Sequence, residues 1–216
     1  MLKIKVCGMK DPSNASQISA LPVDYMGFIF YSGSPRYAGL YPPARLLDCI
    51  RPGVKKTGVF VDLSVKDIMA VCERTGIDVV QLHGNEDPVS GKELKSCGYT
   101  VIKAFNPAAI NDGQALSSWS EVCDFFLFDS GTGSKGGSGK RFDWSLLSEM
   151  ETAIPFFLSG GIGPEHVSAI LQIRNKNFYG VDINSRFEIS PGIKSADLTA
   201  TFIKQLTTEY YELSCK

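Results

Sequence analysis

Two stretches of this 216-residue chain carry residue types that hold an anion. Leu158 to His166, LSGGIGPEH, takes a strand-like run through a Gly-Gly turn into a proline-led helix start, which lets backbone N–H groups converge on a negative charge. VDINSRFE, Val181 to Glu188, follows the last strand-like run. A plain tight turn needing positive φ would also place glycine at Gly160 and Gly161, so the first stretch alone does not decide. A third stretch, GTGSKGGSGK over 131–140, formally contains Gly131-x-Gly133-x-x-Gly136. It runs on for several residues before the next helix start at Asp143-Trp144, so no helix dipole meets a pyrophosphate there, and no Gly-Lys-Ser/Thr stands at the P-loop offset. It reads as a glycine-rich flap carrying Lys135 and Lys140, either a lid over an anionic ligand or a solvated surface loop.

Proton chemistry has few candidates. The chain has two histidines. His166 falls in the first turn of the helix opened by Pro164 and reads as a surface residue. His83 ends a strand-like run beside Gly84, where it could face a site or serve as a structural hydrogen-bond partner. Asp129, a lone carboxylate closing FFLFD just before the glycine loop, suits a general acid shielded from water; capping a turn is the alternative. Cys7 ends the first strand before Gly8 and, taken alone, reads as a small inert hydrophobe. Arg36, in SGSPRYAG, has a guanidinium fork that could hold a carboxylate bidentately, although surface arginines are common.

Eight strands must carry these groups. Short runs rich in β-branched and aromatic residues are predicted at 2–7, 26–30, 57–62, 78–82, 100–105, 124–129, 155–159 and 178–182. Most are too uniformly apolar for strands with one wet face, which argues for a parallel sheet buried on both sides. Helix starts lie between them: Asp11-Pro12 and Asp87-Pro88 pair an N-cap acid with proline at the first position, and Gly163-Pro164 adds a third. Val65, Ile68, Met69 and Cys72 follow helical spacing, and Leu198, Phe202, Leu206, Tyr210 and Leu213 form one stripe of a closing helix. Eight βα units of roughly 27 residues each suit a small barrel. The predicted fold class is therefore α/β, a single-domain (β/α)8 TIM barrel over 1–216. An open doubly wound sheet would carry its phosphate fingerprint after the first strand, whereas these glycine-rich turns follow the sixth and seventh. Reacting groups of such barrels lie at C-terminal strand ends, with phosphate after strands 7 and 8, and Cys7, Arg36, His83 and Asp129 all fall in those windows.

Composition narrows the function classes. Twenty-two Lys+Arg against 23 Asp+Glu, a formal net charge of −1, leave no basic stripe for nucleic acid and no charged tail for an anionic membrane. The six cysteines are scattered, with no CxxC pair or Cys/His cluster at zinc spacing, so no metal is expected. No signal-peptide h-region opens the chain and no stretch approaches 18 consecutive apolar residues, so the expected location is cytoplasmic. Monomer and homodimer both remain open.

Taken in order, the windows resemble the phosphoribosylanthranilate isomerase family of tryptophan biosynthesis. The resemblance is carried by Lys5-Val6-Cys7-Gly8, Gly27-Phe28-Ile29-Phe30, Ser34-Pro35-Arg36, Val59-Phe60-Val61 and Val80-Gln81-Leu82-His83-Gly84. It continues through Phe128-Asp129, Gly136-Gly137-Ser138-Gly139, Phe142-Asp143-Trp144, Ser159-Gly160-Gly161-Ile162 and Val181-Asp182 to Glu188 and Pro191-Gly192-Ile193-Lys194. What it implies is an Amadori rearrangement of a small phosphosugar, N-(5-phosphoribosyl)anthranilate, to 1-(2-carboxyphenylamino)-1-deoxyribulose 5-phosphate, with no metal or organic cofactor. Such a reaction needs an acid to open the furanose ring to an iminium and a base to remove the C2 proton. By the family's pattern Cys7 is the base and Asp129 the acid. Arg36 binds the anthranilate carboxylate, and the turns Gly160-Gly161 and Asn184-Ser185 bind the phosphate. With the same resemblance, Gln81, His83, Gly137 and Ser159 are expected as further substrate contacts. A free thiol is mostly protonated at neutral pH, so Cys7 is expected to sit in a local field that favours thiolate.

Two departures stand out: KVCG where KICG is more familiar, and NSRFE where the family often has SSGVE. Arg186 could therefore contact the phosphate or point to solvent. Two rivals are weighed. The histidine-pathway sugar isomerase, including dual-pathway forms, has an aspartate where this chain has Cys7 and a second glycine-rich phosphate turn where this chain has FVDLS. A non-catalytic phosphosugar-binding barrel would need neither Cys7 nor Asp129.

Overall fold

The β-branched and aromatic runs form eight parallel strands that close on themselves, with β1 hydrogen-bonded to β2 on one side and β8 on the other. A computed structural model describes residues 1–42, 44–129 and 143–214. The strands are β1 Lys3–Val6, β2 Tyr25–Ile29, β3 Lys55–Phe60, β4 Val79–Leu82, β5 Thr100–Phe105, β6 Phe125–Asp129, β7 Phe156–Ser159 and β8 Phe178–Ile183. The helices between them are α1 Pro12–Ser19, α2 Ala44–Asp48, α3 Val65–Thr75, α4 Pro88–Ser96, α5 Gly113–Ser120, α6 Leu146–Glu149 and α7 Val167–Leu171. An antiparallel hairpin, β9 Glu188–Ser190 and β10 Ile193–Lys194, precedes the closing helix α8 Ala196–Ser214.

The barrel is the predicted fold, with each strand within two residues of its expected ends. The largest offset is at β3, which starts at Lys55 because Lys55 and Lys56 pair with Tyr25 and Met26 while their ammonium heads stay clear of the core. The hairpin β9–β10 is not among the expected elements; two strands of three and two residues offer too little alternation to be seen.

Alternation inside each strand explains why the sequence is apolar throughout. Buried apolar residues fall in two clusters. Tyr25, Leu127 and Phe157 fill the barrel interior, while their neighbours Met26, Phe126, Phe128, Phe156 and Leu158 pack outward against the helices. Aromatic rings pack part of the interior: Tyr25 meets Phe157 edge-on at 5.4 Å, and Phe125 lies 4.7 Å from Tyr179. The same parity sends Cys7, His83, Asp129 and Ser159 inward at the C-terminal strand ends.

The helix signals hold with amendments. Asp11 and Asp87 cap α1 and α4, accepting from Asn14 N at 2.8 Å and Ser90 N at 2.9 Å, each ahead of a proline at the first position. In α3 the buried residues are Ile68, Val71 and Cys72, while Val65 and Met69 are only partly covered, so the stripe is narrower than the spacing suggests. In α8 Phe202, Ile203 and Leu206 are buried and Leu213 is exposed, so the predicted stripe is covered over only part of its length. Pro164 opens a 3-10 turn, Pro164–His166, before α7 begins. No helix among the described residues is long and apolar enough to cross a membrane.

Candidate active site

Cys7 follows β1, its N–H donating to Ile183 O at 2.9 Å. A Cβ built on Gly27 would lie 2.6 Å from Cys7 Sγ, so the thiol occupies the space that Gly27 leaves. The next residue, Gly8, takes φ +78°, where a side chain would meet Arg36 Cδ at 2.6 Å and Asn184 Oδ1 at 2.9 Å. The Cys7-Gly8 turn thus draws Arg36 from the β2–α2 loop and Asn184 from the end of β8 over the same strand end.

Beneath Cys7 lies a buried ion pair. Lys5 Nζ and Asp182 Oδ2 stand 2.9 Å apart, with side chains 0% and 4% exposed. Burial opposes charge on Lys5, but Asp182 and Cys7 more than offset it, so the ammonium persists. Among the described residues Asp182 Oδ1 is buried without a hydrogen-bond partner. For Cys7 burial is the largest effect and pushes the thiol above its ordinary value of 9.0; Lys5 and Lys194 pull it down, and Asp182 adds to the rise. The expected field exists in those two cations. It does not prevail in this structure, because desolvation of the sulfur outweighs it.

Asp129 closes β6 in register with Ser159 at the end of β7. Its Oδ2 lies 3.5 Å from His83 Nε2. Gln81 Nε2 donates to His83 Nδ1 at 2.9 Å, which leaves the ring proton on Nε2, facing Asp129. Burial lowers the His83 pKa despite the pull of Asp129, so the imidazole is neutral. Gln81 thus reaches Asp129 only through His83, and among the described residues its Oε1 is buried without a hydrogen-bond partner.

Next to Asp129, after β7, Gly160 and Gly161 take φ +84° and +68°, conformations that strain any L side chain. The turn does not run straight into a helix as expected; a 3-10 turn, Pro164–His166, intervenes and α7 has only five residues. His166 is not a surface residue: its Nδ1 accepts from Gly163 N at 2.9 Å and its ring meets Trp144 edge-on at 5.2 Å. Arg186, open between phosphate and solvent, pairs with Glu165 at 2.7 Å, half-exposed. Phe187, the next residue of the same NSRFE stretch, is buried against Phe202. Ser185 starts the 3-10 turn after Asn184 and is exposed. Gly137, the 131–140 loop with Lys135 and Lys140, and Phe142 lie outside the described residues. Among the described residues no group of three or more His, Cys, Asp and Glu is placed to hold a metal ion.

Arg36, expected to meet a ligand carboxylate, already holds a protein one. Its Nε and Nη2 donate to Glu188 Oε1 and Oε2 at 2.8 and 2.7 Å. Sequence reasoning gave no role to Lys5, Gly27, Asp182 or Lys194, nor to Glu188. The available signal was a charged residue inside a strand otherwise buried on both faces, as at Lys5 and Asp182.

The family model described as N-(5'phosphoribosyl)anthranilate (PRA) isomerase matches residues 4–205. Proteins named N-(5'-phosphoribosyl)anthranilate isomerase from Parabacteroides distasonis and Phocaeicola vulgatus are similar throughout. The first is 42% identical over 204 residues, covering 94% of this chain and 92% of the relative. The second is 40% identical over 203 residues, covering 94% and 97%. Among solved structures, phosphoribosyl anthranilate isomerase from Thermotoga maritima superposes with a TM-score of 0.85 at 33% identity, covering 96% of this chain and 100% of that one. A phosphoribosyl anthranilate isomerase in complex with reduced 1-(o-carboxyphenylamino)-1-deoxyribulose 5-phosphate superposes at 0.80 with 30% identity and the same coverage.

Proposed function

Because the chain belongs to the N-(5'-phosphoribosyl)anthranilate isomerase family, and is thereby an isomerase of tryptophan biosynthesis, we propose that Cys7 is its general base and Asp129 its general acid. What supports the assignment is that both are inward-facing groups at C-terminal strand ends, one beside two lysine ammonium groups and the other beside a neutral histidine. Asp129 gives a proton to the furanose ring oxygen; the C1–O bond breaks as the anilino nitrogen forms the iminium. The Cys7 thiolate then takes the C2 proton, whose electrons neutralise the iminium, and the resulting enol-amine tautomerises to the ketose. Lys5 and Lys194 favour the thiolate electrostatically while burial disfavours it.

Arg36 receives the anthranilate carboxylate, and the backbone at Gly160, Gly161, Asn184 and Ser185 receives the phosphate; Gln81, His83 and Ser159 line the route between them. The relative crystallised with a reduced product analogue supports a phosphosugar ligand here. The barrel acts as one domain in the cytoplasm, as a monomer or as a homodimer; the Thermotoga maritima relative is described as dimeric.

Purified protein should consume phosphoribosylanthranilate, followed as loss of its fluorescence, without added metal or nucleotide. Cys7→Ala and Asp129→Asn should each lower kcat by about 10²-fold or more with the fold intact by circular dichroism. Near-normal kcat in either variant removes that residue from its role.

A further inference from the structure

Arg36 has five N–H donors, and the protein takes two of them. Its Nε–Nη2 edge lies fork to fork on the Glu188 carboxylate at 2.8 and 2.7 Å, and among the described residues both Nη1 donors and the second Nη2 donor take no protein partner. Glu188 is itself clamped: its Oε1 also accepts from Lys194 Nζ at 2.6 Å and from Gly192 N at 3.0 Å. Lys194 Nζ donates in addition to Asn184 Oδ1 at 2.7 Å. The backbone of Lys194 is pinned to α1 through Asn14, N to Oδ1 at 2.7 Å and O from Nδ2 at 2.8 Å. The side chains of Glu188 and Lys194 are 5% and 0% exposed, against 20% for Arg36.

A buried ion pair is a weak source of stability, because desolvation cancels most of the attraction. Here the pair does something else. Two cations and one anion leave a net single positive charge, and only the far end of the guanidinium is free to express it. An arginine without Glu188 would swing about its long side chain and face Lys194 as a like charge; with Glu188 its plane and its free edge are set before any ligand arrives.

We propose that Glu188, held by Lys194 on the β9–β10 hairpin, is a positioning residue that locks Arg36 so that its Nη1–Nη2 end meets the ring carboxylate of the substrate. The inference rests on the reading of Arg36 as the carboxylate-binding residue. The hairpin is then a specificity element: it makes the site discriminate between an anthranilate-derived ligand and the same ligand without its carboxylate. Lys194 joins the two anionic ends, because the ammonium that clamps Glu188 also fixes the amide of Asn184 in the phosphate turn.

The test compares the dissociation constants of two probes, the reduced product analogue and its counterpart lacking the ring carboxylate, by titration calorimetry. The wild-type protein should prefer the carboxylated probe by at least about tenfold, as charge-assisted hydrogen bonds predict. Arg36→Met should erase that preference; if it does not, the reading of Arg36 itself falls. With that arm satisfied, Glu188→Gln should reduce the preference by about tenfold or to none, with binding of the probe without carboxylate unchanged. The double variant Arg36→Met/Glu188→Gln should bind both probes as Arg36→Met does. Full retention of the preference in Glu188→Gln, or equal weakening of both probes, overturns the proposal. Glu188→Asp, which keeps the charge but withdraws the fork by one methylene, is read by the same criteria and serves if the glutamine variant does not fold.

Discussion

Gly27 and Cys7 show how one missing methyl group can set a reacting atom. An alanine at 27 would place its Cβ 2.6 Å from the sulfur and 3.1 Å from Cys7 Cα, so the thiol or the strand has to shift. Displacement on that scale costs about 10²-fold in rate. Gly27→Ala should therefore lose kcat by roughly that factor while KM stays close to wild type, and steady-state kinetics with a native circular dichroism spectrum checks it. Burial also holds the Cys7 proton on above its ordinary value of 9.0. In Asp129→Asn, where the acid's own ionisation no longer enters, the residual kcat/KM should climb by about tenfold per pH unit on the alkaline side of neutrality if the thiolate is the base, until the raised value is reached. A flat profile from pH 7 to 9 would mean that the free enzyme does not depend on this ionisation. Arg36→Lys belongs to the same scale: an ammonium cannot present one fork to Glu188 and another to substrate, so its KM should rise much as that of Arg36→Met does. Cys7 itself was legible only as a packing residue until its neighbours were read in order, because nothing local separates an inert buried thiol from a catalytic one.

At the scale of elements, the turn between β4 and α4 is held from behind by a second buried pair. Lys103 projects from the outer face of β5 and donates to Glu86 Oε2 and Gly84 O, both at 2.7 Å, with Trp119 5.0 Å beneath its ammonium. Glu86 in turn accepts from Asp62 N and Gly84 N at 3.0 Å. The pair thus fixes the backbone that follows His83. Lys103→Met would strand the Glu86 carboxylate, 3% exposed, at a cost of about 3–5 kcal/mol. Urea denaturation should show that loss, and Lys103→Met/Glu86→Gln should recover part of it; an unchanged midpoint for the single variant contradicts a structural role for the pair. Strands, proline-led helix starts and the glycine turns were legible because each has a local signal in residue type or spacing. The β9–β10 hairpin was not. Its second strand is held by Asn14, 180 residues away, which bonds both backbone groups of Lys194, and such long-range pairing leaves no local pattern.

For the whole molecule, the buried titrating groups bound the pH range of the fold. His83 has its pKa lowered from 6.5 by burial, so the unfolded chain takes up that proton first and stability falls as pH drops below about 6.5. Glu188 is lowered from 4.5: burial alone would raise it, but the hydrogen bonds from Arg36 and Lys194 prevail, and their contribution is lost as pH falls below that value. Cys72 and Cys123 are pushed up to about 12 by burial, and Cys7 is also raised, so the stability they confer is intact below 9.0 and lost as pH climbs from there toward 12. In thermal melts Cys72→Ala/Cys123→Ala should therefore show a shallower decline above pH 9 than the wild type; identical alkaline slopes would contradict this assignment. The sequence by itself determined the eight strands, the barrel, the identity of the strand-end groups and, through their order, the family. Those features reside in residue types at fixed spacing along one chain. Only the tertiary structure decided which charge meets which: that Lys5 pairs with Asp182 under Cys7, that burial outweighs two ammonium groups at the sulfur, and that Arg36 arrives already held by Glu188. Ion pairing and desolvation depend on distance in space and on exclusion of water, and both are set by the closing of the barrel.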